Sequence, residues 1–358
     1  MKRIAPFLFV CILSGILPVF IAAQTGSDSS NKSLFEKNDV LELTITGDIR
    51  NLLADRGEQS PMHECTLIYK DDDGKSDTIN AKIKTRGHFR KLAENCAYPP
   101  LQININHPLL QSATFKSMEK LKLVVPCKSD GYVVREWLVY KLYNILTPLS
   151  LKARLVKLVL ADSKKGKPTQ PMYAMLLENE KDMAARNHKL VSEEKVPLSK
   201  LDRDPYLRMA MFQYLIGNTD WSVEYLQNII LLKNKDEYRP TTVAYDFDHS
   251  GLVNAPYALP EEDLHLSSVT ERLYRGYCIQ NIDAYDPFIK EFIALKDTVY
   301  ALYSNCPFTD NNYKKFANKF FDEFYKTISD PIQFAKEFLY PCDKNGSGNV
   351  IIKGLKKQ

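Results

Sequence analysis

Tyr214-Leu-Ile-Gly-Asn-Thr-Asp-Trp221, Gln227-Asn-Ile-Ile-Leu-Leu232 and Tyr245-Asp-Phe-Asp-His-Ser-Gly251 are the stretches on which the reading of this chain turns. Asp220 follows an apolar run with helical spacing, and Asn228 opens a short apolar strand. A second strand, Thr242-Val-Ala-Tyr245, delivers Asp246 and Asp248. Phosphoryl-transfer sites use such parts in this order: one Asp orients the acceptor hydroxyl, while an Asn and a second Asp hold the Mg²⁺ that neutralises the phosphates. Asp and Asn also populate ordinary turns between strands. What sets this stretch apart is the order, with each polar residue at the edge of an apolar run. Asp246, directly after its strand, ranks ahead of Asp248, which is either a second metal ligand or a cap of the turn through Ser250 and Gly251. His249 reads as a turn residue, and Trp221 as packing that fixes the loop.

The same residues resemble the CotH-type kinases, atypical kinases named for a spore-coat protein, and more remotely the HipA-type kinases. Flanking blocks extend the resemblance in family order over roughly residues 40–255: Lys84-Thr-Arg-Gly87, Leu121-Lys-Leu-Val-Val125, the helix after Ser129, and Pro171-Met-Tyr-Ala-Met-Leu-Leu-Glu178. The resemblance implies an α+β, two-lobed protein-kinase-like fold, with a strand-rich N-terminal lobe and a helical C-terminal lobe. It also implies ATP with Mg²⁺ or Mn²⁺ bound between the lobes and Asp220 as the catalytic base. Two departures stand out. Asn228 lies eight residues after Asp220, against five in protein kinases, which requires a longer loop. The family's lysine-rich strand is replaced by Tyr98-Pro-Pro-Leu-Gln-Ile-Asn104.

Nucleotide contacts are read from order and alternation. Lys122 lies on a strand whose Leu121, Leu123 and Val125 share the other face, and the next helix carries Glu136. A strand lysine followed by a helix glutamate is the order of the ion pair that positions the α- and β-phosphates in kinases; an exposed strand lysine is the alternative. Arg86 and Lys84 are reserve phosphate contacts. Glu178 ends the strand where a hinge to adenine would begin, and Arg186 is either a phosphate contact or a solvated helix charge.

Met-Lys-Arg, an apolar run from Ile4 to about Ala23 and a polar exit at Gln24 describe a cleaved signal peptide over residues 1–23, with a single membrane anchor as the alternative. The expected mature protein is periplasmic or secreted, with no transmembrane anchor after cleavage. Cleavage leaves six cysteines, an even number in an oxidising compartment, whose pairing sequence does not fix. By position Cys96 goes with Cys127 and Cys278 with Cys306, free buried cysteines being the alternative. With 48 basic and 44 acidic residues, the chain offers no electrostatic case for nucleic acid.

A polar spacer (24–38) precedes a strand-rich half with one helix (39–180). A mainly helical half (181–345) carries the Asp220 and Asp246 loops, and a basic tail (346–358) ends the chain. The expected function is an exported, Mg²⁺-dependent kinase acting on a hydroxyl of a protein or other exported acceptor. Two rivals are a non-catalytic binding or scaffold module at the cell envelope and, below it, a glycosyltransferase using Asp246-Phe-Asp248 as its metal motif.

Overall fold

In the computed structural model, the described residues are Met1 and residues 34–339, apart from 71–73, 106–113, 116–117, 165, 235–237 and 278–280. Chain contacts divide the protein into Met1–Asn31 and Lys32–Gln358, and the helices and strands of the described residues all lie in the second unit. The expected leader apart from Met1, residues 24–33 of the polar spacer, the basic tail and Cys278 lie outside the described residues. No helix among the described residues is long and apolar enough to cross a membrane.

In chain order the elements are β1 (Leu41–Gly47), α1 (Ile49–Ala54), β2 (His63–Lys70), β3 (Ser76–Thr85), β4 (Leu101–Ile105), β5 (Lys120–Val124), α2 (Asp130–Leu146), β6 (Ala153–Asp162) and β7 (Met172–Leu177). They continue with α3 (Glu180–Arg186), β8 (Leu190–Ser192), α4 (Arg203–Ile216), β9 (Ile229–Lys233), β10 (Thr241–Ala244), α5 (Asp286–Ala294), α6 (Lys296–Ser304), α7 (Asn311–Ser329) and α8 (Pro331–Phe338).

The expected two-lobed protein-kinase-like fold is not what forms. Seven strands close into a barrel in the order β1-β2-β3-β4-β5-β7-β6, and helices gather towards the C-terminus. The closing contact is parallel: β1 runs beside β6 from Leu41↔Val156 to Gly47↔Asp162, while the other barrel neighbours are antiparallel. Closure removes both sheet edges, satisfying backbone groups that an open sheet leaves unpaired. Period-two alternation fills the interior. Leu41, Leu43 and Ile45 from β1, Ile103 from β4, Leu121 and Leu123 from β5, and Val156, Leu158 and Leu160 from β6 form one buried core.

Neighbours on β5, β6 and β7 point the opposite way. Val124, Leu155, Met175 and Leu177 join a second core with α2, α4, the β9–β10 pair and the C-terminal helices. Strands buried on both faces explain why β7 reads as a nearly unbroken apolar run. Helix α2 is buried almost all round, from Val133 to Leu146. Ser129 caps it by accepting from the Gly131 amide at 3.3 Å, whereas Asp130 leaves the helix to accept from Tyr173 N at 3.0 Å.

The long C-terminal helical runs are each broken once, at Leu295 and at Asp330-Pro331. Asp330 caps the helix that follows, and proline is tolerated in its first turn. Phe320, Phe321 and Phe324 of α7 are core, and Phe316 packs against them half-buried. Cys96 and Cys127 form the expected disulfide, and Cys65 and Cys306 are free and buried, while Cys278, the partner expected for Cys306, lies outside the described residues.

Candidate functional site

The Asp220 loop begins where α4 stops. Gly217 ends that helix in the left-handed region, at φ 63°, and its carbonyl accepts from Gly251 N at 3.0 Å. Neither glycine has room for a side chain: a Cβ on Gly217 would lie 2.9 Å from the Phe320 ring, and one on Gly251 would overlap the Val269 carbonyl. Beyond Gly217 the loop is held by its own polar groups. Asn218 accepts from Asp220 N at 3.1 Å and donates to Gln213 Oε1 at 3.0 Å, while Trp221 Nε1 donates to the Asn218 carbonyl at 3.1 Å.

Asn228 meets Asp220 across this loop. Its Nδ2 donates to the Asp220 carbonyl at 2.7 Å and to Oδ2 at 3.0 Å, and Gln227 Nε2 donates to Oδ1. The eight-residue separation is thus a loop folded back on itself. With its nitrogen spent on Asp220, the Asn228 amide has its oxygen free of any hydrogen bond among the described residues. Burial and the Asp248 charge raise the Asp220 carboxyl, while His249 and the two amides pull it down.

Asn228 and Asp246 both adopt left-handed backbone, at φ 54° and 63°. Asn and Asp tolerate this region better than other non-glycine residues. They are also neighbours in the fold, because Tyr245 N donates to the Asn228 carbonyl at 3.0 Å, extending the pairing of β9 with β10. Tyr140 of α2 fixes the turn by accepting from Asp246 N at 2.9 Å.

The Asp246 side chain is open to water, yet enough protein surrounds it for burial, with the Asp248 charge, to push its carboxyl up to about 6 against the pull of Arg86 and Arg90. The carboxylate makes no hydrogen bond among the described residues.

Asp248 is buried and engaged: Oδ2 accepts from Tyr257 OH at 3.0 Å and lies 3.5 Å from Arg90 Nη1. Arg90 also donates to the Val125 carbonyl beside the Cys96–Cys127 bridge, so the disulfide region and Asp248 together hold its guanidinium. Glu136 is 2% exposed, and burial with the charges of Asp248 and Asp246 holds its carboxyl well above the usual range.

Lys122 points to the same place. Its ammonium lies 5.3 Å from the Tyr245 ring centroid and feels the Asp246 charge, and burial lowers its pKa. Its partner differs from the expected one: the ion pair is with Glu180 at 3.0 Å, not with Glu136, which faces Asp246 and Asp248 instead. Arg86, close enough to both Lys122 and Asp246 to shift their ionisation, makes no salt bridge among the described residues.

Six of the seven residues singled out from sequence therefore converge: Asp220, Asn228, Asp246, Asp248, Glu136 and Lys122. Glu178 does not. Its carboxylate takes Arg186 at 2.9 and 3.0 Å and the Lys152 amide at 2.9 Å, and its own N–H donates to the Lys152 carbonyl. That also accounts for Arg186, which braces Glu178. Arg90, Tyr140, Tyr257, Gln227 and Glu180 were missed. Arg90 shares a turn with Arg86-Gly87, which was a usable signal; the others carried none.

Among the described residues, no group of three or more His, Cys, Asp or Glu side chains is arranged to hold a metal ion. Mg²⁺ does not need one, since it is commonly bound by one or two protein oxygens, waters and substrate phosphates. The Asn228 amide oxygen and the Asp246 carboxylate fit that use, whereas Asp248 is turned to Tyr257 and Arg90. No protein-family model matches the chain, and no curated protein matches it.

Proposed function

We propose that this protein is an exported phosphotransferase that binds a nucleoside triphosphate, ATP in the first instance, with Mg²⁺ or Mn²⁺ and passes the terminal phosphoryl group to a hydroxyl of a protein or other exported acceptor. The observation that carries the reading is one juxtaposition: an unbonded Asp246 carboxylate and the Asn228 amide oxygen, adjoining hairpin ends, beside the Arg86 and Lys122 cations. Carboxylate and amide oxygens suit a hard divalent ion, and a guanidinium with an ammonium suits phosphate oxygens. A divalent ion bound there supplies charge neutralisation across the phosphates.

In this reading Arg86 and Lys122 bind the phosphates, and Asp220 accepts a hydrogen bond from the acceptor hydroxyl and orients it. Export is supported by the leader-like start and by the Cys96–Cys127 bridge, since disulfides persist in oxidising compartments. Calorimetric titration with ATP, with and without Mg²⁺, followed by transfer of labelled phosphate, tests the proposal. Binding that does not depend on a divalent ion would overturn it.

One observation favours a second reading, a binding module without turnover: both Asp220 carboxylate oxygens already accept an amide N–H. Tight Mg²⁺–ATP binding with no transfer to itself or to exported proteins would decide for it.

A further inference from the structure

We propose that Arg275 is the positioning residue of the Asp220 loop, an inference that rests on the phosphotransferase reading. Arg275 is 7% exposed and lies in irregular chain between β10 and α5, far from Asp220 in sequence. Its Nη1 donates to two backbone carbonyls, Thr219 and Trp221, the latter at 2.7 Å. These flank Asp220 in sequence, so one nitrogen pins the peptide unit that enters Asp220 and the one that leaves Trp221. The guanidinium carbon also lies 5.4 Å from the Trp221 ring centroid, and Trp221 is tied back to the Asn218 carbonyl.

The clamp has a chemical reason. Loop carbonyls taken out of water cost free energy unless a donor reaches them, and a charged donor gives the stronger bond. Arg275 satisfies two such carbonyls and places a buried positive charge beside the loop. Glu261 senses that charge too: burial and Asp220 raise its carboxyl, and Arg275 pulls against them. Arg275 touches neither phosphate nor metal in this scheme. It acts through Asp220, so its loss removes aim and leaves nucleotide binding in place.

The chain has two tryptophans, Trp137 and Trp221, so Trp137→Phe leaves Trp221 as the sole reporter of the loop. In that background, acrylamide quenching of Trp221 fluorescence is expected to rise severalfold on Arg275→Gln and less on Arg275→Lys, which keeps a charged donor. With labelled ATP, Arg275→Gln is expected to lower kcat about 100-fold, with the Mg²⁺–ATP Kd within about threefold of the parent and partial recovery in Arg275→Lys. Unchanged quenching, or an unchanged kcat, overturns the clamp. A parallel loss of Mg²⁺–ATP affinity in Arg275→Lys, the milder variant, also overturns it by making the residue a general structural one. A parent that binds no nucleotide overturns the phosphotransferase reading instead, and the quenching comparison still decides whether Arg275 holds the loop.

Discussion

Asn228 Nδ2 lies 2.7 Å from the Asp220 carbonyl and 3.0 Å from its Oδ2, so one amide joins the loop after α4 to the start of β9. That contact divides the labour between the two residues. Asp220→Asn removes the carboxylate, and the loop keeps its bonds by turning over the Gln227 amide, whose Oε1, unpaired among the described residues, then accepts from the new NH₂. Mg²⁺–ATP affinity is therefore expected to stay within about threefold while transfer falls by roughly 100-fold or more, the usual scale for losing a positioned proton acceptor. Asn228→Ala removes the amide oxygen and also the brace on Asp220, so binding and transfer are both expected to fall. Titration calorimetry and labelled-phosphate transfer on the two variants read the difference. Equal transfer by Asp220→Asn and the parent would remove Asp220 from the chemistry.

Asp246 is expected to make nucleotide binding depend on pH. Its carboxyl is raised to about 6 by burial and by Asp248, and only the ionised form serves a cation. Mg²⁺–ATP affinity should therefore climb as pH rises from about 5 to 7 and flatten above. The stability sign is opposite. An acid raised in the fold favours the protonated state, so its contribution is greatest at low pH and declines as pH rises from its unfolded value of 3.8 through about 6. Asp246→Asn should abolish metal-dependent binding and raise the melting temperature at pH 8 by about 2 °C, after discounting for solvent screening. Calorimetry across pH and thermal melts at pH 4 and pH 8 check both halves.

Much of this arrangement was legible because it is local. Alternation marked the strands that became β1 to β5, apolar runs bounded by turns marked β6 and β7, three- and four-residue spacing marked α2 and α4, and the apolar runs after Asn228 and before Asp246 marked the hairpin ends. Barrel closure was not legible. Leu41, Leu43 and Ile45 show which face of β1 is buried, but nothing in their pattern says that its free edge meets β6 more than a hundred residues later. The partner of Lys122 was hidden for the same reason. Order along the chain pointed to Glu136, while the fold brings Glu180 to the ammonium from the start of α3, just past β7. Short elements such as α3 and β8 lack the length for a periodic signal.

The Cys96–Cys127 bridge closes a separation of 31 residues. In the chain-entropy account a loop of that size contributes about 3–4 kcal/mol. Cys96→Ala with Cys127→Ala is expected to lower stability by roughly that amount in urea unfolding. Because Arg90 bonds the Val125 carbonyl beside the bridge and pairs with Asp248, the double variant should also weaken Mg²⁺–ATP binding. A stability loss with affinity unchanged would separate the bridge from the site.

Glu136 and Glu180 provide the test of which carboxylate serves Lys122. Glu136 is buried against Asp248 and Asp246, which hold its carboxyl well above the ordinary range, so it favours the neutral form where an isolated glutamate is charged. Glutamine resembles that neutral acid in size and polarity. Glu136→Gln should therefore leave Mg²⁺–ATP affinity within about twofold and leave stability at pH 8 equal or higher, since it removes an ionisation that the fold opposes. Glu180 is the opposite case: its carboxyl is lowered overall, because the Lys122 charge and hydrogen bonds outweigh its partial burial, and it sits 3.0 Å from the ammonium. Glu180→Gln removes that charge from a partly buried lysine, leaving Lys122 less fixed and more easily deprotonated, so nucleotide affinity should fall about tenfold and fall further as pH rises towards 9. If Glu136→Gln proved the more damaging of the two, Lys122 would be working with Glu136 when nucleotide is bound, and the ion pair to Glu180 would belong to the empty site alone.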